Sequence, residues 1–131
     1  MIKVQTGQII EFYSNSCRVA ATSNTFKCRI QGRIDLVVGD YVRIAPAEGL
    51  SDCDAIVTER LDRDTALFKS KDKITKTVAA NISHLGILVT FNPKTSLEFI
   101  DKWIVIALHS KVRPFIVFNK IMPWKKMPLN F

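Results

Sequence analysis

Over the first sixty positions apolar and polar residues alternate with a period of two. Cys17, Val19 and Ala21 share one parity and Arg18 takes the other. Phe26, Cys28 and Ile30 oppose Lys27 and Arg29, and Val42 and Ile44 oppose Tyr41 and Arg43. Successive side chains leave a strand on opposite faces, so this pattern predicts strands with one apolar side. It predicts five, over 7–13, 17–21, 26–30, 37–44 and 54–60, with Ser14-Asn15-Ser16 and Ser23-Asn24 as turns and Gly39-Asp40 as a bulge. Five short strands without helical periodicity predict a small closed barrel or sandwich. An oligonucleotide-binding (OB) barrel with Arg, Lys and Tyr outside offers charge to phosphates and a ring to bases. Outer strand positions are polar in any barrel, so the pattern alone leaves both readings open.

The period changes along the chain. Residues 63–80 interleave Lys69, Lys71, Lys73 and Lys76 with Ser, Asp and Thr, and read as a solvated, basic linker. Leu85 to Phe91 is nearly continuous in apolar residues, as a strand buried on both faces would be. Thr95-Ser96-Leu97-Glu98 has the form of a capping box, with Thr95 accepting from the Glu98 backbone. A helix is predicted from there to about Ser110, with Leu97, Ile100, Ile104 and Leu108 in one stripe and Phe99, Trp103 and Ile106 in another. Phe115 to Phe118 is a second buried strand. Strand, helix, strand makes a right-handed βαβ unit, the start of an α/β domain.

Charge refines the picture. The 131 residues carry 19 basic and 12 acidic side chains, a net +7. Residues 1–62 hold 7 basic and 8 acidic, residues 63–80 hold 5 and 2, and residues 81–131 hold 7 and 2. The excess therefore lies after the barrel, where it suits a polyanionic partner such as RNA or serves solubility. Arg18, Lys27, Arg29 and Arg43 on the barrel, with Lys69, Lys71 and Lys73, are the candidate RNA contacts. Cys17, Cys28 and Cys53 show no Cys-x-x-Cys spacing and no paired His, so no metal site is expected; they read as reduced core cysteines. The start, Met1-Ile2-Lys3-Val4-Gln5-Thr6, shows no secretory pattern, and no stretch suits a membrane span, which together point to the cytoplasm.

An ordered set of short stretches makes the reading more specific. These are Phe26-Lys27-Cys28-Arg29, Val38-Gly39-Asp40-Tyr41-Val42, Ala79-Ala80-Asn81-Ile82, Ser96-Leu97-Glu98-Phe99-Ile100-Asp101-Lys102 and Pro114-Phe115-Ile116-Val117-Phe118-Asn119-Lys120-Ile121. With them the chain, over about residues 7–121, resembles the amino-terminal part of the RsgA (YjeQ, EngC) family of ribosome-associated GTPases. The resemblance implies an OB barrel, a circularly permuted P-loop GTPase domain and a small zinc-binding domain. It implies GTP with Mg as ligand of the complete family, and GTP-dependent late maturation of the small ribosomal subunit through rRNA contacts. It gives Asn119 and Lys120 a place in the guanine-recognition motif Asn-Lys-x-Asp. The division it implies is 1–62 OB barrel, 63–80 basic linker, 81–122 the incomplete βαβ start of the GTPase domain, and 123–131 a divergent tail.

The sequence departs from that family in chemically relevant places. Met122 stands where the family has the guanine-reading Asp, and Pro123 to Phe131 matches nothing in the pattern. No Gly is followed by Lys, so no Gly-x-x-x-x-Gly-Lys-Ser/Thr loop cradles phosphates. Phosphoryl transfer rests on positioning and charge neutralisation around those phosphates. The expectation is a truncated, RNA-facing relative that hydrolyses no GTP and needs no cofactor. The alternatives are a GTPase completed by a second chain carrying the P-loop, and a stand-alone RNA-binding module.

Overall fold

The computed structural model describes residues 3–119, which divide into two compact units, 3–82 and 83–119. In the first, strands β1 (Gln5–Phe12), β2 (Ser16–Ala20), β3 (Thr25–Ile30), β4 (Tyr41–Pro46) and β5 (Ala55–Arg60) close into a barrel in the order β1-β2-β3-β5-β4. All neighbours are antiparallel except β3 and β5, which run parallel with Cys28 opposite Ala55. This is the closed barrel, one of the two architectures the alternation predicts, with the OB topology that the resemblance implies. The inward parity supplies the core: Ile9, Cys17, Val19, Cys28, Leu36, Val42, Ile44, Ala55 and Val57 are buried. Closure pairs both edges of the sheet, so no strand edge of the barrel is left for association. Gly39 and Asp40 do not form a bulge inside a strand; they make a turn, and β4 starts only at Tyr41. The irregularities fall instead between Ile9 and Glu11 on β1 and between Arg43 and Ile44 on β4.

The segment read as a linker is ordered. Strands β6 (Ala66–Lys71) and β7 (Ile74–Ala80) form an antiparallel hairpin and belong to the same compact unit as the barrel. Asp72 and Lys73 link them with φ of 52° and 66°, the pair of left-handed residues that a two-residue type I′ turn requires.

The hairpin is tied to the barrel at its base. Asp40 is fully buried and accepts from Arg63 Nε at 2.6 Å, Arg63 Nη2 at 2.9 Å and the Val37 backbone N–H at 2.8 Å. Gly39 has φ of 97°, and a Cβ there would lie 1.8 Å from the Ala80 carbonyl oxygen. Only glycine permits both the turn and that approach. The Ala80 N–H donates to the Val38 carbonyl at 3.0 Å, and Asn81 Nδ2 donates to the Gly39 carbonyl at 2.9 Å. Asn81 Oδ1 accepts from the Asp64 N–H. The Val-Gly-Asp and Ala-Ala-Asn stretches, some forty positions apart in sequence, are the two halves of one fastening.

In the second unit, β8 (His84–Thr90) and β9 (Arg113–Asn119) pair in parallel, with Ile87 opposite Ile116, and α1 (Leu97–His109) crosses between them. The helix begins one residue later than the capping box implies. Ser96 is the cap and its Oγ accepts from the Phe99 N–H at 3.1 Å. Thr95 turns back to the strand and accepts from the Thr90 N–H. Ile87, Val89 and Ile100 form a small core with Leu85, Trp103 and Ile104 packed around it. Among the described residues no helix is long and apolar enough to cross a membrane.

Candidate nucleic-acid interface

The outward parity of the barrel strands places Arg18, Lys27, Arg29 and Arg43 on the exterior, but not in one patch. Arg18 and Lys27 are direct cross-strand partners on β2 and β3, and Arg29 lies two residues further along β3. Arg43 is on β4, which is hydrogen-bonded to β1 and β5 and not to β2 or β3. All three arginines face acids. Arg18 Nε lies 3.5 Å from Glu11, Arg29 Nη2 2.6 Å from Asp52, and Arg43 Nη1 2.9 Å from Glu59. These side chains are about half exposed, so each pair contributes only about 0–1 kcal/mol of stability. Their electrostatic effect is larger in kind: each arginine's field is cancelled locally by its acid. Lys27 is exposed, and its backbone N–H is held by Asp54.

The hairpin is different. Lys69 stands directly opposite Lys76, and Lys71 opposite Ile74. Period-two alternation puts Lys69, Lys71, Ile74, Lys76 and Val78 on one face, where with the turn residue Asp72 they line a shallow groove of about 370 Å³. Lys73 is at the turn. Like charges directly opposite on an antiparallel pair are unfavourable. Among the described residues, no acid lies within ion-pair distance of these four lysines. The opposite face carries Phe68 and a Ser70–Thr75 hydroxyl pair 3.0 Å apart. Reading the segment as a linker overlooked a usable signal: Ile74, Thr75, Thr77 and Val78 are four β-branched residues in five positions, a composition that favours a strand.

Three groups depart from ordinary titration. Hydrogen bonding to Asp40 holds the Arg63 guanidinium above its usual value, against the opposing effect of burial. Cys17 and Cys28 face one another across β2 and β3, and the neighbouring thiol together with burial pushes Cys28 well up. The same contact with Cys28 draws Cys17 down, against burial; both cysteines are unbridged and buried in the core, as expected, whereas Cys53 is half-buried.

Asn119 ends β9 opposite Thr90. Lys120, Met122 and the tail from 123 lie outside the described residues. Among those described, no group of three His, Cys, Asp or Glu side chains converges to hold a metal ion. Asn119 by itself does not make a guanine site, and nothing described cradles a triphosphate, so no chemical step is assigned to a nucleotide.

Comparison with known proteins gives a consistent result. The family model described as RsgA GTPase matches residues 60–127. The chain is 31% identical over 118 residues to the small ribosomal subunit biogenesis GTPase RsgA of Nitrosomonas europaea, covering 88% of this chain and 37% of that protein. It is likewise 31% identical over 126 residues to the RsgA of Hahella chejuensis, covering 88% of this chain and 34% of the relative. It thus spans about a third of the length of these relatives. Among solved structures, YloQ, a circularly permuted GTPase, superposes with a TM-score of 0.62 at 21% identity over 90% of this chain and 41% of YloQ. That likeness establishes the fold.

Proposed function

The chain belongs to the RsgA GTPase family, and on that premise we propose that these residues form the RNA-contacting part of a cytoplasmic factor in small ribosomal subunit biogenesis. The observation that carries the reading is the set of four lysines on one ordered hairpin, none of them in an ion pair among the described residues. A face that sets Lys69 against Lys76 stores electrostatic repulsion that a phosphate backbone relieves. The barrel contributes Lys27, and Arg18, Arg29 and Arg43 as paired side chains that must first leave an acid. The family's GTP hydrolysis is not supported by these 131 residues alone, since they contain no phosphate-cradling loop.

The test is the salt dependence of binding to purified small ribosomal subunits. Lys69→Ala with Lys71→Ala and Lys73→Ala should weaken binding and flatten the slope of log affinity against log salt by roughly 0.7–0.9 for each phosphate no longer neutralised. Arg29→Ala with Arg43→Ala should change it much less, because those side chains start neutralised. An unchanged slope in the lysine variant removes the hairpin from the interface and with it this reading.

A further inference from the structure

We propose that the barrel and hairpin together form one track for a single-stranded stretch of RNA, with Phe12 as a platform for an unstacked base. This rests on the RNA-binding reading and goes beyond it by naming the state of the RNA and the path it takes.

The track is built from two adjoining concavities. The first, about 770 Å³, lies at the ends of β1 and β3 and is bounded by Phe12, Asn15 and Arg33. The second, about 400 Å³, shares Phe12, Ile34 and Asp35 with the first and reaches Thr75 and Lys76 on the hairpin. The lysine groove is on the other face of the hairpin and is not part of this path. Shared walls make the path continuous from the β1–β2 turn to Thr75 and Thr77 on the hairpin.

The chemistry along it is graded. Arg33 stands at one end and Lys76 at the other, so a cation flanks Phe12 on each side. The acid in the wall, Asp35, has Arg60 Nη1 at 3.9 Å from its carboxylate, and its carbonyl accepts from Arg60 at 2.8 Å. Phe12 is the ring common to the first two concavities and is 38% exposed. An exposed ring at a junction of two hollows with cations on either side is the arrangement that binds single strands, where charge follows the backbone and bases stack on aromatic side chains. A duplex keeps its bases stacked and offers such a surface only phosphates and sugar edges. The fastening at Asp40, Arg63, Gly39 and Asn81 holds the hairpin to the barrel, so the two ends of the track keep their spacing without the RNA having to order them.

The experiment uses the whole chain and fluorescence anisotropy with an unstructured oligouridylate and an RNA duplex carrying the same number of phosphates. The single strand should bind more tightly. Phe12→Leu should weaken it by roughly 5- to 100-fold, the size of one base–aromatic stack, while leaving duplex binding and the salt slope as they were. Phe12→Tyr should restore it. Arg33→Ala, a change at an exposed side chain that does not threaten folding, should weaken the single strand and reduce its salt slope. Equal affinity for the two RNAs, with neither Phe12→Leu nor Arg33→Ala altering them, overturns the track but leaves charge-driven RNA binding standing. No binding of either RNA or of small subunits overturns both.

Discussion

The carboxylate of Asp40 is the most constrained polar group described. It is fully buried, and it accepts two hydrogen bonds from Arg63 and one from the Val37 backbone. A buried ion pair of this kind is weak evidence of net stabilisation, but breaking it on one side leaves an unpaired charge inside the protein. Arg63→Ala should therefore cost about 3–5 kcal/mol in urea unfolding. The double variant Asp40→Asn with Arg63→Met should cost clearly less than the sum of the two single changes. Additive losses would mean that the two side chains stabilise the fold independently, and the fastening would need another origin. The same residue-scale logic separates the lysines from the arginines. Charge counts treat them alike, whereas Glu11, Asp52 and Glu59 have already claimed three of the arginines.

The hairpin shows a conflict between local stability and binding, which makes it testable as an element. Lys76 opposes Lys69 in register. Lys76→Glu turns repulsion into an attractive cross-strand pair, worth roughly 0.2–1 kcal/mol. The variant should melt slightly higher and bind small subunits or RNA more weakly. A variant that loses stability, or gains RNA affinity, contradicts the assignment of this face to a polyanion. The type I′ turn at Asp72-Lys73 supports the element by matching the twist of its strands. It also carries Lys73 at the tip, where a side chain meets a partner before the rest of the face does.

At the scale of the whole molecule the two units differ in how their sheets are covered. The barrel has no open edge, and its core is enclosed. In the second unit α1 packs beside Ile87 and Val89, while Leu88 is 54% exposed, Phe115 49% and Val117 40%. Gly86, Leu88, Phe115 and Val117 share one parity, Ile116 at 44% and Phe118 at 46% are as exposed on the other, and parallel strands normally need cover on both sides. Exposed apolar area of this kind favours association or a loosened local structure. Hydrogen exchange on the 131-residue chain should find the amides of β8 and β9 exchanging well before those of β4 and β5. Equal protection in a monomer would show that one helix and two strands suffice.

The sequence by itself determined the elements whose pattern is local. Five strands of period two, a helix with apolar stripes and two apolar strands around it were legible because side-chain direction repeats over about two or 3.6 residues. So was the family, because the short stretches that carry it are contiguous. The structure moved strand ends by a few residues and replaced the linker by a hairpin, whose lysines masked a run of β-branched positions. Tertiary structure alone decided which acid neutralises which arginine, since Arg29 meets Asp52 across 23 positions and Arg63 meets Asp40 across an equal span. It also decided that Gly39 lies against Ala80, that Arg43 is on a different part of the barrel from Lys27, and that Phe12 borders Lys76. Those relations depend on register, on closure of the barrel and on the seating of the hairpin. Each of these brings together residues with no fixed separation along the chain, so no local period records them.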